Sequence, residues 1–280
     1  MGVARRVANR LRNGWGRIRP VPRPRYATGT PKTGSDHPLD PFFPPNIETL
    51  ATAASSNEAA NFVLSVIERL SPSEETANQR VYYLWAQDKF GVHWRNADIT
   101  TLLWAASILV RPANYLEIGV RRGRSAAVVG AAQPDCAIYG FDLWVAGYGG
   151  DDNPGPDFVR NELRAVGHRG SVEMASGNSR VTVLAFVQRH PELYFDLITV
   201  DGDHSVAGAA ADLANVLPKL KVGGVIVCDD VAVPSVKRVW EKIVKRDSRY
   251  VSWEFTSGGY GVGAAIRITD EPALAARRLV

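Results

Sequence analysis

Two short stretches concentrate the side chains that can do chemistry. Thr199-Val-Asp201-Gly-Asp203-His204 and Val227-Cys-Asp229-Asp230 each set acids directly behind an apolar run, where a strand gives way to a loop. Neighbouring parallel strands lie about 4.8 Å apart and deliver their carboxyl ends to one rim, so Asp201, Asp229 and Asp230 would converge there. Carboxylates that close repel one another unless a cation sits between them, and oxygen ligands select a hard ion such as Mg²⁺. The competing structural role is capping, with Asp203 and Asp230 in solvated turns and Asp229 on the next helix. His204 has an unperturbed pKa of about 6.5, suited to accepting a proton near neutral pH. Asp201 is the other candidate base, although a carboxylate on a cation loses proton affinity.

A second stretch, Tyr115-Leu-Glu-Ile-Gly-Val-Arg-Arg-Gly-Arg-Ser125, reads as a buried strand, a glycine turn and the start of a helix. Gly119 and Gly123 lack a Cβ, so the backbone can turn sharply and a ligand can lie against it. The first N–H groups of the helix then face that ligand. A dinucleotide fingerprint requires G-x-G-x-x-G and a phosphate-binding loop requires Gly-Lys-Ser/Thr; neither is present. Asp142 ends the next predicted strand, 23 residues after Gly119. There an acid can accept both hydroxyls of a ribose, its structural alternative being a helix or turn cap.

The elements that must position these residues alternate. Strands are predicted near 115–120, 137–142, 171–175, 195–201 and 223–229, with helices near 123–133, 157–167, 179–190, 205–216 and 235–246. This pattern argues a parallel sheet covered on both faces. Residues 250–255 and 261–268, joined through Thr256-Ser-Gly-Gly-Tyr260, read as an antiparallel hairpin closing it. The fold class is therefore α/β, a Rossmann-like doubly wound, mostly parallel seven-stranded sheet with an N-terminal helical cap. The cap, 46–112, opens with a capping-box pattern at Ser55-Ser-Asn-Glu58 and an apolar stripe from Ala59 to Leu70. Further helices are predicted over 74–89 and 97–110, with Tyr82, Tyr83, Trp85 and Trp104 in the core.

Charge is unevenly spread. The chain carries 33 basic and 29 acidic side chains. Eight arginines and no acid fall within residues 1–26, leaving 25 basic against 29 acidic side chains in the body. The excess belongs to the tail, which disfavours a nucleic-acid groove across the body. Val3, Val7 and Leu11 among those arginines fit weak peripheral contact with an anionic membrane, or else a solubilising tail. Residues 20–45 hold eight of the 17 prolines and read as an extended linker, giving divisions at 1–45, 46–112 and 113–280. Cys136 and Cys228 match no disulfide scaffold or zinc spacing and suit a reduced, cytoplasmic protein.

Glu117-Ile-Gly119-Val-Arg-Arg-Gly123-Arg-Ser125, followed by Asp142, resembles the first motif and strand-two acid of class I S-adenosylmethionine-dependent methyltransferases. The resemblance spans roughly 97–268. It implies that Gly119, Gly123 and Ser125 hold the methionine end of the cofactor, Asp142 the ribose, and Gly177, Asn178 and Ser179 the adenine. Glu117 would support the glycine turn, and Asn178 and Ser179 could equally be plain caps. With Asp201, Asp229 and Asp230, the chain is similar to Mg²⁺-dependent O-methyltransferases of the catechol type and of the macrocin, antibiotic-sugar type. The departure is Asp203-His204 after Asp201, which leaves the base open between His204 and Asp201. The Asn/Asp-Pro-Pro-aromatic motif of nucleic-acid N-methyltransferases is absent. The implied acceptor is a hydroxyl of a sugar or polyhydroxylated metabolite; self-association is an open possibility. A nicotinamide oxidoreductase and a non-catalytic, membrane-associated binding protein are the rival readings.

Overall fold

The computed structural model describes residues 45–147 and 152–271. The basic tail, the proline-rich linker as far as residue 44, and residues 148–151 between the second predicted strand and the following helix lie outside them. Among the described residues four α-helices precede the sheet: α1 (Ile47–Ala54), α2 (Asn57–Ile67), α3 (Glu74–Phe90) and α4 (Ile99–Val110). Each starts on a side chain that accepts a first-turn N–H: Asn46, Ser56, Ser73 and Asp98. Ser73 with Thr76, and Asp98 with Thr101, complete reciprocal capping boxes. The stretch read as linker up to residue 45 is thus followed at once by α1, and Ser56, not Ser55, caps α2.

From β1 (Asn114–Ile118) the chain alternates as the sequence pattern predicts. There follow α5 (Arg124–Ala132), β2 (Ala137–Asp142), α6 (Pro156–Ala165), β3 (Val172–Ser176), α7 (Ser179–Arg189), β4 (Phe195–Val200), α8 (Val206–Val216), β5 (Leu220–Asp229) and α9 (Pro234–Trp240). Beyond α9 the predicted helix continues as a π-helical turn, Glu241–Lys245, before β6 (Tyr250–Phe255) and β7 (Val262–Arg267). The sheet order is β3-β2-β1-β4-β5-β7-β6. All pairs are parallel except those of β7 with β5 and β6. β4 is buried at every residue, which accounts for the apolar Phe195, Leu197, Ile198 and Val200 pointing to both faces. β5 starts three residues earlier than the sequence reading, and an irregularity shifts its register against β4 between Phe195 and Leu197.

The sheet separates two cores. On one face α4 packs against β4 and β5 and is covered by α1, α2 and α5. Its residues are buried nearly all round, so it is apolar all round. On the other face α7, α8 and α9 pack over the sheet, with Phe186 of α7 and Trp240 of α9 in one core with Leu116, Ile118 and Phe141. Tyr83 and Trp104 are core residues, as predicted; Tyr82 and Trp85 are not, at 43% and 51% exposed. α3 carries apolar residues around its whole circumference and turns only Thr76, Tyr83 and Ala86 inward. Glu162 on α6 ties the N-terminal helices to the sheet by accepting the Ser71 N–H (2.8 Å) and Oγ–H (2.7 Å). Cys136 and Cys228 are free and buried; burial pushes the Cys136 thiol up to about 12. No helix among the described residues is long and apolar enough to cross a membrane.

Candidate active site

The carboxyl ends of β1, β2, β4 and β5 meet on one rim. Gly119, just past β1, has φ +88°, and a Cβ there would stand 1.8 Å from the Asp201 carbonyl oxygen. Only glycine allows the first turn to approach the β4 loop this closely. The Asp201 N–H in turn donates to Ile118 O at 2.9 Å. The glycine turn and the acidic rim are therefore one surface.

One atom from each of Asp201, His204 and Asp230 lies within 4.8 Å of the others, a group that could hold a metal ion. His204 Nε2 is 2.9 Å from Asp230 Oδ2 and 3.6 Å from Asp201 Oδ1. Hydrogen bonds to Asp201 and Asp230 raise the His204 pKa to about 10. Asp229 stands on the same rim but outside that three-residue group. Burial raises its carboxyl well above the usual range, and the charges of Asp201 and Asp230 raise it further, with a smaller push from Asp98 at the start of α4. Burial also raises Asp201, although the His204 hydrogen bond opposes it. Acids crowding one imidazole favour its protonated form, so His204 gains proton affinity, while burial still holds Asp201 up. Asp203 faces elsewhere. It accepts the Ser205 N–H at 2.8 Å and pairs with Arg180 at 2.9 Å, contacts that lower its pKa, the Ser205 backbone N–H foremost.

At the glycine turn, Gly123 caps α5 with φ +80° and no side-chain hydrogen bond. Glu117 is fully buried, and the Ser125 hydroxyl donates to its Oε1, linking strand end to helix start. Burial, reinforced by the Asp201 charge and opposed by the Ser125 hydrogen bond, pushes Glu117 up to about 8. Asp142 accepts two backbone N–H groups, from Arg121 to Oδ2 (2.7 Å) and from Trp144 to Oδ1 (2.5 Å). It is thus a turn cap in this structure, and each oxygen keeps a lone pair for a further donor. Gly177, at φ +133°, donates its N–H to Asp142 O at 2.8 Å, which sets the β3 turn beside β2. Asn178 caps α7 by accepting the Arg180 N–H at 3.0 Å, and Ser179 is the first residue of that helix.

Two features of the site carry no local sequence signal. Glu75, in the first turn of α3, pairs with Arg121 at 3.1 Å and Arg124 at 2.8 Å, and Gln79 accepts from Arg124 at 3.0 Å. These contacts seat α3 on the glycine turn, and Arg124 also lowers the Asp201 pKa. The second is backbone strain. Arg121 (φ 51°), Trp144 (φ 54°) and Asp230 (φ 60°) lie just past β1, β2 and β5 in the left-handed region, which costs a non-glycine residue about 1–2 kcal/mol. Two open depressions of about 460 and 270 Å³ lie among the N-terminal helices, and neither is lined by a rim residue.

The sheet order with its reversed β7, the glycine turn and the acidic rim are the arrangement that the sequence resemblance to class I S-adenosylmethionine-dependent methyltransferases implies. Residues 116–231, which run from β1 to just past β5, match the family profile described as a methyltransferase domain. No curated protein matches the chain. Among solved structures it is similar to the O-methyltransferase of Bacillus cereus, at 19% identity over 78% of this chain and 99% of that one, with a TM-score of 0.49. It is similar also to the O-methyltransferase TomG of Streptomyces achromogenes (17%, 82% and 94%, 0.49). A third is CalS11, a TDP-rhamnose 3′-O-methyltransferase of calicheamicin biosynthesis (20%, 75% and 93%, 0.47). At these identities and scores the likenesses assign no substrate to this chain.

Proposed function

We propose that the chain is a Mg²⁺-dependent O-methyltransferase acting on a hydroxyl of a sugar or polyhydroxylated metabolite. The observation that carries this reading is the convergence of Asp201, His204 and Asp230 on the rim that the glycine turn touches. The donor set fits a hard divalent ion. Two carboxylates and an imidazole converge, a third carboxylate adjoins them, and mutual repulsion adds to the burial that holds Asp201 and Asp229 above the usual range. A cation removes that repulsion. Asp201 and Asp230 would hold the ion, with Asp229 adding to its oxygen ligands. An ion held there would supply Lewis-acid chemistry, lowering the pKa of an acceptor hydroxyl and helping to orient it.

S-adenosylmethionine would supply the sulfonium methyl and leave as S-adenosylhomocysteine. Gly119, Gly123 and Ser125 would hold its methionine end, Asp142 its ribose, and Gly177, Asn178 and Ser179 its adenine, with Glu117 supporting the turn. His204 is proposed as the base that takes the hydroxyl proton, and Asp201 is the alternative. Paired with Asp230 and Asp201, His204 is an imidazolium at neutral pH. It can accept a proton only once those carboxylates are engaged elsewhere. Residues 46–112 would close over the acceptor, anchored through Glu75 and Gln79.

The test is transfer of labelled methyl from S-adenosylmethionine to a panel of sugars, nucleotide sugars and other polyols, with and without chelator. Incorporation should vanish in EDTA and return with Mg²⁺. Full activity in chelator would sink the metal assignment, and no transfer to any hydroxylated acceptor would sink the acceptor class.

A further inference from the structure

Trp144 combines two unfavourable features at one position. It follows β2 by two residues with a left-handed backbone, φ 54°, a conformation that bulky side chains rarely adopt. Its indole Nε1–H is also buried and has no acceptor among the described residues. An indole N–H is a donor only, and buried donors in native structures are nearly always paired. Trp144 is nonetheless held in place, because its backbone N–H donates to Asp142 Oδ1 at 2.5 Å and its ring packs against the apolar core. The same carboxylate holds the N–H of Arg121, another left-handed residue, on the glycine turn. At the far end of the same connection, just before α6, the Asn153 Oδ1 is likewise buried and unpartnered. An unmatched donor and an unmatched acceptor thus flank the segment that leaves the cofactor rim.

We infer that Trp144 is a binding residue of the cofactor pocket, its indole N–H donating to an acceptor atom on the nucleoside part of S-adenosylmethionine beside Asp142. The inference rests on the methyltransferase reading. It explains why a strained backbone and an unsatisfied donor persist together: the ligand supplies the missing acceptor, and Asp142 fixes the residue's backbone beside it. The rival is a structural tryptophan whose N–H is met by water.

The experiment uses the full chain and S-adenosylhomocysteine. The Trp144 indole N–H signal in a ¹H–¹⁵N spectrum is assigned by its loss in Trp144→Phe and followed through a titration; calorimetry compares the affinities of wild type and variant. The signal should shift on saturation. Trp144→Phe should weaken binding about three- to tenfold, the scale of one hydrogen bond, with the melting temperature of the ligand-free protein unchanged. An unmoved signal and unchanged affinity in a wild type that binds would overturn the assignment alone. A wild type that does not bind S-adenosylhomocysteine would overturn the methyltransferase reading and this assignment with it. Should Trp144→Phe fail to fold, the wild-type indole signals still decide: a set unmoved by saturating ligand rejects the contact.

Discussion

His204 Nε2 lies 2.9 Å from Asp230 Oδ2, joining the loop after β4 to the left-handed residue that ends β5. This pair competes with a metal ion for the same carboxylate. If His204 is the base, His204→Ala should lower kcat by about 100-fold, within the range for losing a general base, and, by freeing Asp230, leave the Mg²⁺ requirement no higher than that of the wild type. A variant that keeps wild-type kcat and its alkaline-side pH profile would pass the role to Asp201. One that mainly raises the Mg²⁺ requirement would make His204 a ligand.

Asp201→Asn and Asp230→Asn should each raise the Mg²⁺ concentration giving half-maximal activity, because each removes a charged oxygen donor from the group of three. Asp229→Asn tests the adjacent position. Its carboxyl is already held well above the usual range, so an unchanged Mg²⁺ requirement there would leave the ion to Asp201 and Asp230.

Asp142→Ala should weaken S-adenosylhomocysteine binding by about 1.5–3 kcal/mol, the range for hydrogen bonds to a charged group. It should also lower stability, since the carboxylate accepts from Arg121 and Trp144. Asp142→Asn retains one acceptor oxygen and separates the two effects. If its affinity by calorimetry equals that of the wild type, Asp142 serves the turn and not the ligand.

Gly119→Ala should cost about 3 kcal/mol or more in urea denaturation, since its Cβ would meet backbone atoms of Asp201 at 1.8 and 2.6 Å. Gly123→Ala meets only the Val159 side chain, at 2.7 Å, which can move. Its cost should be nearer the 1–2 kcal/mol of a left-handed alanine. Equal midpoints for the two variants would contradict the close approach of the first turn to the β4 loop.

Metal-free protein should lose stability as pH rises. Burial raises Glu117 from 4.5 to about 8, and its carboxylate neighbours raise His204 from 6.5 to about 10. Both groups bind protons more tightly when folded. Their contribution is therefore full below the unfolded values and is lost as pH climbs through the folded ones. The melting temperature should fall from about pH 5 to about pH 10. Glu117→Gln should flatten the lower part of that slope and His204→Gln the upper part. A flat wild-type profile would remove both assignments.

The alternation of apolar runs and amphipathic helices was enough to place the doubly wound sheet and its reversed last strands, because strand and helix periods are local properties of the chain. The glycine turn was legible for the same reason: Glu117, Gly119, Gly123 and Ser125 lie within nine residues and form one strand-to-helix unit. That the acids after β4 and β5 share a rim followed from their being neighbouring parallel strands. Which atoms converge did not follow. Asp230 meets His204 from a left-handed backbone, and Asp229, one residue earlier, stands outside the group of three. A one-residue choice of face at a strand end depends on a dihedral angle that composition does not encode. The seating of Glu75 on Arg121 and Arg124 joins residues some 46 positions apart, and no periodicity connects them. α3 shows the same limit, since apolar side chains surround it and packing alone decided that Tyr83 is buried while Tyr82 and Trp85 face outward. Local chemistry fixes what each segment can become, whereas long-range packing decides which face and which atoms meet, because those choices are set by neighbours that are distant in the chain.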